Sequence, residues 1–259
     1  MQRNKDKNSI PAYCLGILLI GVLLQAGGLM KGNRLVFPGL PEIWQAFTSL
    51  LSNGNTYVKI GTTLIHVAEA LLISAGIGIT VGLAEGSSRW IYSFLRPLMV
   101  FIRSIPMIVL VILIMSMISY RAVPTTAACM ILVPLFSEAV CEGCLSLDQE
   151  LIDVYRMNGG FSLQVALRIY LPLISGYLKQ AFVNAAGMGI KVAVSAEYLV
   201  QTKDSLGKAV FSSSYFSEYA EIYAYALIMI LLVLLITEVP GLALRISRKS
   251  GEKNSTIPG

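Results

Sequence analysis

Six ionisable side chains stand where transport or proton chemistry could use them. Glu69, Arg103, Glu138, Lys191, Glu197 and Glu238 fall within, or at the edges of, long apolar runs. A charge at the centre of a bilayer costs at least roughly 2.5–3.5 kcal/mol on insertion scales, so each should face a bundle interior, a partner or water. Glu138 and Glu238 lie near run ends, where snorkelling or pairing with Arg accounts for them. Lys191 and Glu197 lie deeper. Together with Arg103 they are the candidates for lining a polar path, and the alternative is pairing with groups on other helices.

Other reactive residue types are sparse. The single histidine, His66, cannot build a histidine metal cluster, and its spacing from Glu69 predicts a local hydrogen bond on one helix face. Cys141 and Cys144 form a lone CxxC with no second pair and no βαβ context, so a structural role is expected and no metal site. Leu206-Gly207-Lys208-Ala209 lacks the Ser or Thr and the earlier glycine of a phosphate-binding loop. The chain itself is therefore expected not to bind ATP through that motif.

These residues must be positioned by membrane helices. Of the 259 residues 55% are hydrophobic and only 14% charged, where soluble domains carry about 25% charged. The mean hydropathy is +0.70. A span needs roughly 20 apolar residues. Runs at 12–30, 61–84, 90–119, 125–140, 171–199 and 222–244 predict six spans. The third contains Pro97 and Pro106 and should be bent or in two parts. Gly78 and Gly82 form a small-xxx-small pair suited to close helix approach. Pro41, Glu42, Ile43, Trp44 and Phe47 predict a short amphipathic helix before the second span, either lying on the outer face with Trp44 and Phe47 in an interface belt or packed as a loop helix. Residues 201–217 read as a polar loop. Basic residues before the first run, and Arg245, Arg248 and Lys249 after the last, predict both termini on the cytoplasmic side. The net charge of +5 then reflects cytoplasmic loops and not nucleic acid.

The longest polar stretch inside the apolar body, residues 141–170, falls on that same cytoplasmic side. It contains Asp153-Val154-Tyr155, three residues, Gly159, nine residues, then Ile169, Tyr170, Leu171 and Pro172. A membrane protein without a nucleotide site could draw on ATP only by contact with a partner, and a short cytoplasmic helix seated in a partner's cleft would serve. Gly159 lets the chain turn sharply, and Pro172 suits the start of the next helix.

This spacing resembles the loop of ABC importer permease subunits: Glu-Ala-Ala, three residues, Gly, nine residues, Ile, any residue, Leu-Pro. Gly159, Ile169, Leu171 and Pro172 match by identity, Asp153 replaces the Glu, and Val154 and Tyr155 depart from the two Ala. Phe37-Pro38, Pro41 to Trp44, Arg103 to Pro106 and Ala196-Glu197 are similar to the branch importing nitrate, taurine, aliphatic sulfonates and thiamine-pyrimidine precursors. The resemblance implies an all-α integral membrane protein with six transmembrane helices and the type I importer permease (MetI-like) fold. It implies an N-terminal part at 1–56, a core transmembrane domain at 57–245 with its coupling loop at 141–170, and a basic tail at 246–259. It further implies a bacterial inner-membrane location, a dimer of ABC ATPase subunits that bind ATP and Mg, an external solute-binding protein, and a second permease beside this one, either another copy as a homodimer or a different permease subunit. The chain would form the translocation route for a small polar or anionic solute and would not be an enzyme.

Two rival classes remain on residues alone. An ion-gradient-driven secondary transporter would use Glu69 or Glu197 as a proton relay. An intramembrane enzyme would need a nucleophile–base or metal set that a single histidine does not supply.

Overall fold

In the computed structural model, residues 38–147 and 170–254 are described, the side chains as far as Thr237. The expected first span at 12–30 lies outside the described residues, as do Asp153, Val154, Tyr155, Gly159 and Ile169 and the side chain of Glu238. All regular structure among the described residues is helical.

The first helix, α1 (Leu40–Ser52), starts where its residue types dictate. Pro41 stands in the first turn, and the Gly39 N–H donates to the Glu42 carboxylate at 3.0 Å, closing the open N-terminus. Its buried side is Ile43, Phe47 and Leu50. Trp44 is exposed, while Phe47, expected beside it in an interface belt, is buried instead. The helices that follow are α2 (Gly54–Ser87), α3 (Arg89–Ser104), α4 (Met107–Met117), α5 (Val123–Leu145), a single turn α6 (Leu171–Leu173), α7 (Ser175–Val200), α8 (Leu206–Tyr215) and α9 (Tyr219–Asn254).

The described residues divide into two compact units, one at 38–57 and 210–228, the other at 58–147, 170–209 and 229–254. In the first, the buried side chains include those of α1 with Ala224, Tyr225 and Ile228, and Ser213 donates to Glu221 at 2.8 Å. The second unit holds the main core, and α5 is its hub. Helix α7 packs along α5, with α3 and α4 also against it. Leu132 and Phe136 are fully buried between small residues, Ala70 of α2 and Ala181 and Ala185 of α7. Small side chains on the flanking helices let the larger α5 residues fill the gap.

Glycine sets the approach of α2. A Cβ on Gly78 would lie 2.5 Å from the Phe136 Cβ, one on Gly82 2.5 Å from the Ser137 carbonyl oxygen, and one on Gly86 2.5 Å from the Cys144 Cβ. The expected pair is therefore a stripe of three glycines at i, i+4 and i+8.

Among the described residues, three helices, α2, α5 and the 219–237 part of α9, are long and apolar enough to cross a membrane, or four if the bent pair α3–α4 is one span. That pair meets at 99° around Ile105-Pro106, the two-part element the prolines predicted. Helix α7 covers the expected fifth span but is too mixed in polarity to be counted among these. Residues 201–217 are not a loop. They hold α8, because Ser205 caps its start by accepting the Lys208 N–H at 3.2 Å.

Candidate functional site

Three constellations in the larger unit carry functional weight. The first lies where the polar stretch leaves and rejoins the bundle. Ile174, fully buried, sits with Leu83 of α2 and Val140 and Cys144 of α5, and Leu147, Tyr170 and Leu171 pack against this group. Both flanks of 148–169 are thus fixed to one apolar cluster. A Cβ on Gly143 would lie 3.0 Å from the Ile174 Cβ, so α5 and the start of α7 touch closely here. Cys141 and Cys144 are buried in this last turn of α5, side chains in a packed core, and Cys144 faces Gly86. Of the motif residues, Leu171 is half-buried and Pro172 exposed in α6.

The second is a cleft of about 380 Å³ beside the same end of α5, lined by Glu85, Tyr92, Arg96, Arg103, Glu138 and Glu142. Arg103 donates to Glu138 at 2.6 Å, both well exposed. Arg96 donates to the Tyr92 hydroxyl at 2.7 Å. Glu85 is buried and accepts from the Ser137 hydroxyl at 2.6 Å. The expected second span ended at residue 84; α2 continues through Ser87 and carries Glu85 inside.

The third is the knot around Glu197. This carboxylate is fully buried and accepts the Thr63 hydroxyl at 2.8 Å and the Gly207 N–H at 3.1 Å on one oxygen. His66 Nδ1 lies 2.8 Å from the other; an ionised carboxylate only accepts, so that nitrogen then carries the hydrogen. The Thr63 hydroxyl also accepts the Leu206 N–H at 3.1 Å. Helix α2, the end of α7 and the start of α8 are tied together by one buried acid. The expected His66–Glu69 bond does not form. Both side chains turn to neighbouring helices, Glu69 accepting from Thr125 at 3.2 Å. Gly207, read in the sequence only as part of a failed phosphate loop, is required by this packing, since a Cβ there would overlap the Glu197 Cβ and lie 2.5 Å from the Tyr198 nitrogen.

The three candidates for a polar path do not share a contact. Arg103 pairs with Glu138, Glu197 is enclosed in its knot, and Lys191 is exposed on α7.

Residues 74–249 match the family described as binding-protein-dependent transport system inner membrane component. The chain belongs to this family. It is an ABC transporter permease of the importer type, the membrane component of the transporter and not its catalytic subunit. The permease is 25% identical over 198 residues to a probable ABC transporter permease protein of Brucella melitensis, covering 74% of this chain and 80% of the relative. A probable permease of Brucella abortus is 25% identical over 198 residues, 74% of this chain and 78% of that protein. Among solved structures, a bacterial ABC transporter that imports the acidic polysaccharide alginate matches with TM-score 0.66 at 15% identity, over 95% of this chain and 98% of that one. The inward-facing MetNI methionine transporter matches with TM-score 0.56 at 18% identity, over 73% and 96%. These likenesses establish the all-α importer-permease fold. Family membership also answers the ion-gradient and intramembrane-enzyme alternatives.

In the permease the Glu197 knot is structural by its geometry. Glu197→Ala should strand the Thr63 hydroxyl, the Gly207 N–H and His66, at about 1–3 kcal/mol for each group left unsatisfied in the interior. The thermal midpoint in detergent should fall markedly. Glu197→Gln keeps an acceptor oxygen and similar shape, and should retain most stability and transport. Loss of transport in a stably folded Gln variant would instead mark the carboxylate as a proton carrier.

Proposed function

We propose that this permease forms the membrane path for a small polar or anionic solute delivered by an external binding protein. Movement is driven by a separate ATPase dimer engaged through residues 153–172. ATP and Mg are bound by that partner. A second copy of this chain completes the path as a homodimer in the bacterial inner membrane.

The observation that carries the coupling role is the shared anchorage of the motif's flanks. Leu147 on one side and Tyr170–Leu171 on the other pack on the Leu83, Val140, Cys144 and Ile174 cluster. A push on the intervening segment would be delivered to α2, α5 and α7 together and not absorbed by a slack linker. A close-packed interior transmits such displacement, because its contacts cannot compress. The loop spacing ending at Leu171-Pro172, and the similarity to nitrate and sulfonate importers, support the partner and the solute class.

Purification of the tagged permease from its native membranes tests this reading. ATPase subunits should co-purify in a complex containing two permease chains, with vanadate-sensitive ATP hydrolysis. A permease that purifies with no ATPase under conditions preserving other membrane complexes would overturn it. The same reading places both termini in the cytoplasm. A single cysteine at Arg34 should then react with impermeant reagent added outside intact spheroplasts, and labelling only after lysis would reverse the orientation.

A further inference from the structure

Helix α7 has two unlike sides. One is packed with small and apolar residues, among them Ala181, Ala185, Val192 and Ala196, against the core. The other carries Gln180, Asn184, Lys191 and Ser195, all exposed. At 100° per residue these four positions fall within an arc of about 60°, so they form one polar line along a helix of a membrane-embedded subunit. Gln180 donates to Asn184 at 3.1 Å along it. Lys191 makes no ion pair with any described residue, whereas Arg103 is neutralised by Glu138. Lipid is a poor neighbour for a lysine and two amides, and polar residues in spans face water or a bundle interior.

We propose that the Gln180–Asn184–Lys191–Ser195 line is the aqueous wall of the solute path, and that Lys191 is the fixed charge selecting an anionic solute. The inference rests on the reading of the chain as the path-forming subunit and narrows its solute class. The amides and the hydroxyl replace water around the passing solute. Lys191 supplies a local positive potential strengthened by the low-dielectric helices around it. Arg103, already paired, does not share this role.

Thiol labelling in membranes carrying the complete transporter tests it, on a background without the native cysteines. Gln180→Cys, Asn184→Cys, Lys191→Cys and Ser195→Cys should each react with both the anionic sulfonatoethyl and the cationic trimethylammonium-ethyl methanethiosulfonate. Leu72→Cys, on an exposed apolar position of α2, should not. At Ser195→Cys, one turn from Lys191, the anionic-to-cationic rate ratio should fall about fivefold when Lys191→Gln is added, and Lys191→Arg should preserve it. Asn184→Cys gives a second reporter should one double variant fail to insert. Protection of all four positions, as burial against a second copy would give, overturns the proposal, and so does a ratio indifferent to Lys191→Gln. ATPase co-purification from the same membranes is scored separately. A protected line with the ATPase still bound sinks only this inference, and a reactive line with no ATPase sinks the coupling reading instead.

Discussion

Gly82→Val is expected to be the most damaging single change in the described membrane core. The added Cβ would sit 2.5 Å from the Ser137 carbonyl oxygen and 2.7 Å from the Val140 Cβ. The first of these neighbours is backbone and cannot swing away. Helices α2 and α5 would have to separate, opening the packing around Gly78 and Gly86 and drawing Glu85 off Ser137. Overpacking of a tight core costs typically 1–3 kcal/mol, and with backbone in the way the cost should exceed about 3 kcal/mol. Thermal unfolding in detergent should show a large drop in midpoint and a low yield of inserted protein. Gly76→Ala is the control. Nothing lies within 4 Å of its Cβ position, so replacing a mid-helix glycine there should stabilise by about 0.5–1 kcal/mol. An unchanged midpoint for Gly82→Val would mean that α2 and α5 do not approach this closely.

The contrast between the two glycines shows what was legible beforehand. Gly78 and Gly82 announced a close approach because they stand four apart inside an apolar run. Gly86 did not, because it lies past the end of the 61–84 run, beyond the charged Glu85. Pro106 gave away the break between α3 and α4, since proline removes a donor, whereas Pro97 sits inside α3 without ending it. The Glu197 knot was opaque. Its partners Thr63 and His66 lie more than a hundred positions away, and no local pattern reports which distant hydroxyl meets a buried acid. His66 and Glu69 show the opposite error, a correct local spacing overruled by better partners on neighbouring helices. Helix α8 was hidden because a lysine and three serines interrupt its short apolar pattern, and the Ser205 cap is seen only in the fold.

Gly159→Val is the second large effect, and it falls on function. The resemblance of the motif implies a turn at this glycine, which lies outside the described residues. A non-glycine residue in a left-handed turn costs roughly 1–2 kcal/mol, and the branched side chain would also hold a docking partner away. The apolar anchor at Leu83, Val140, Cys144 and Ile174 is untouched by the change, so insertion and folding should persist. Asp153→Lys should act in the same direction more weakly, by reversing one charge on the same surface.

Co-elution of the ATPase with purified Gly159→Val permease, read beside ATP-driven uptake in vesicles with ion gradients collapsed, tests the coupling claim most directly. The expected result is a folded permease that has lost its ATPase, or retains it without driving uptake. Normal co-elution together with normal uptake would make the segment a mere linker and contradict the account.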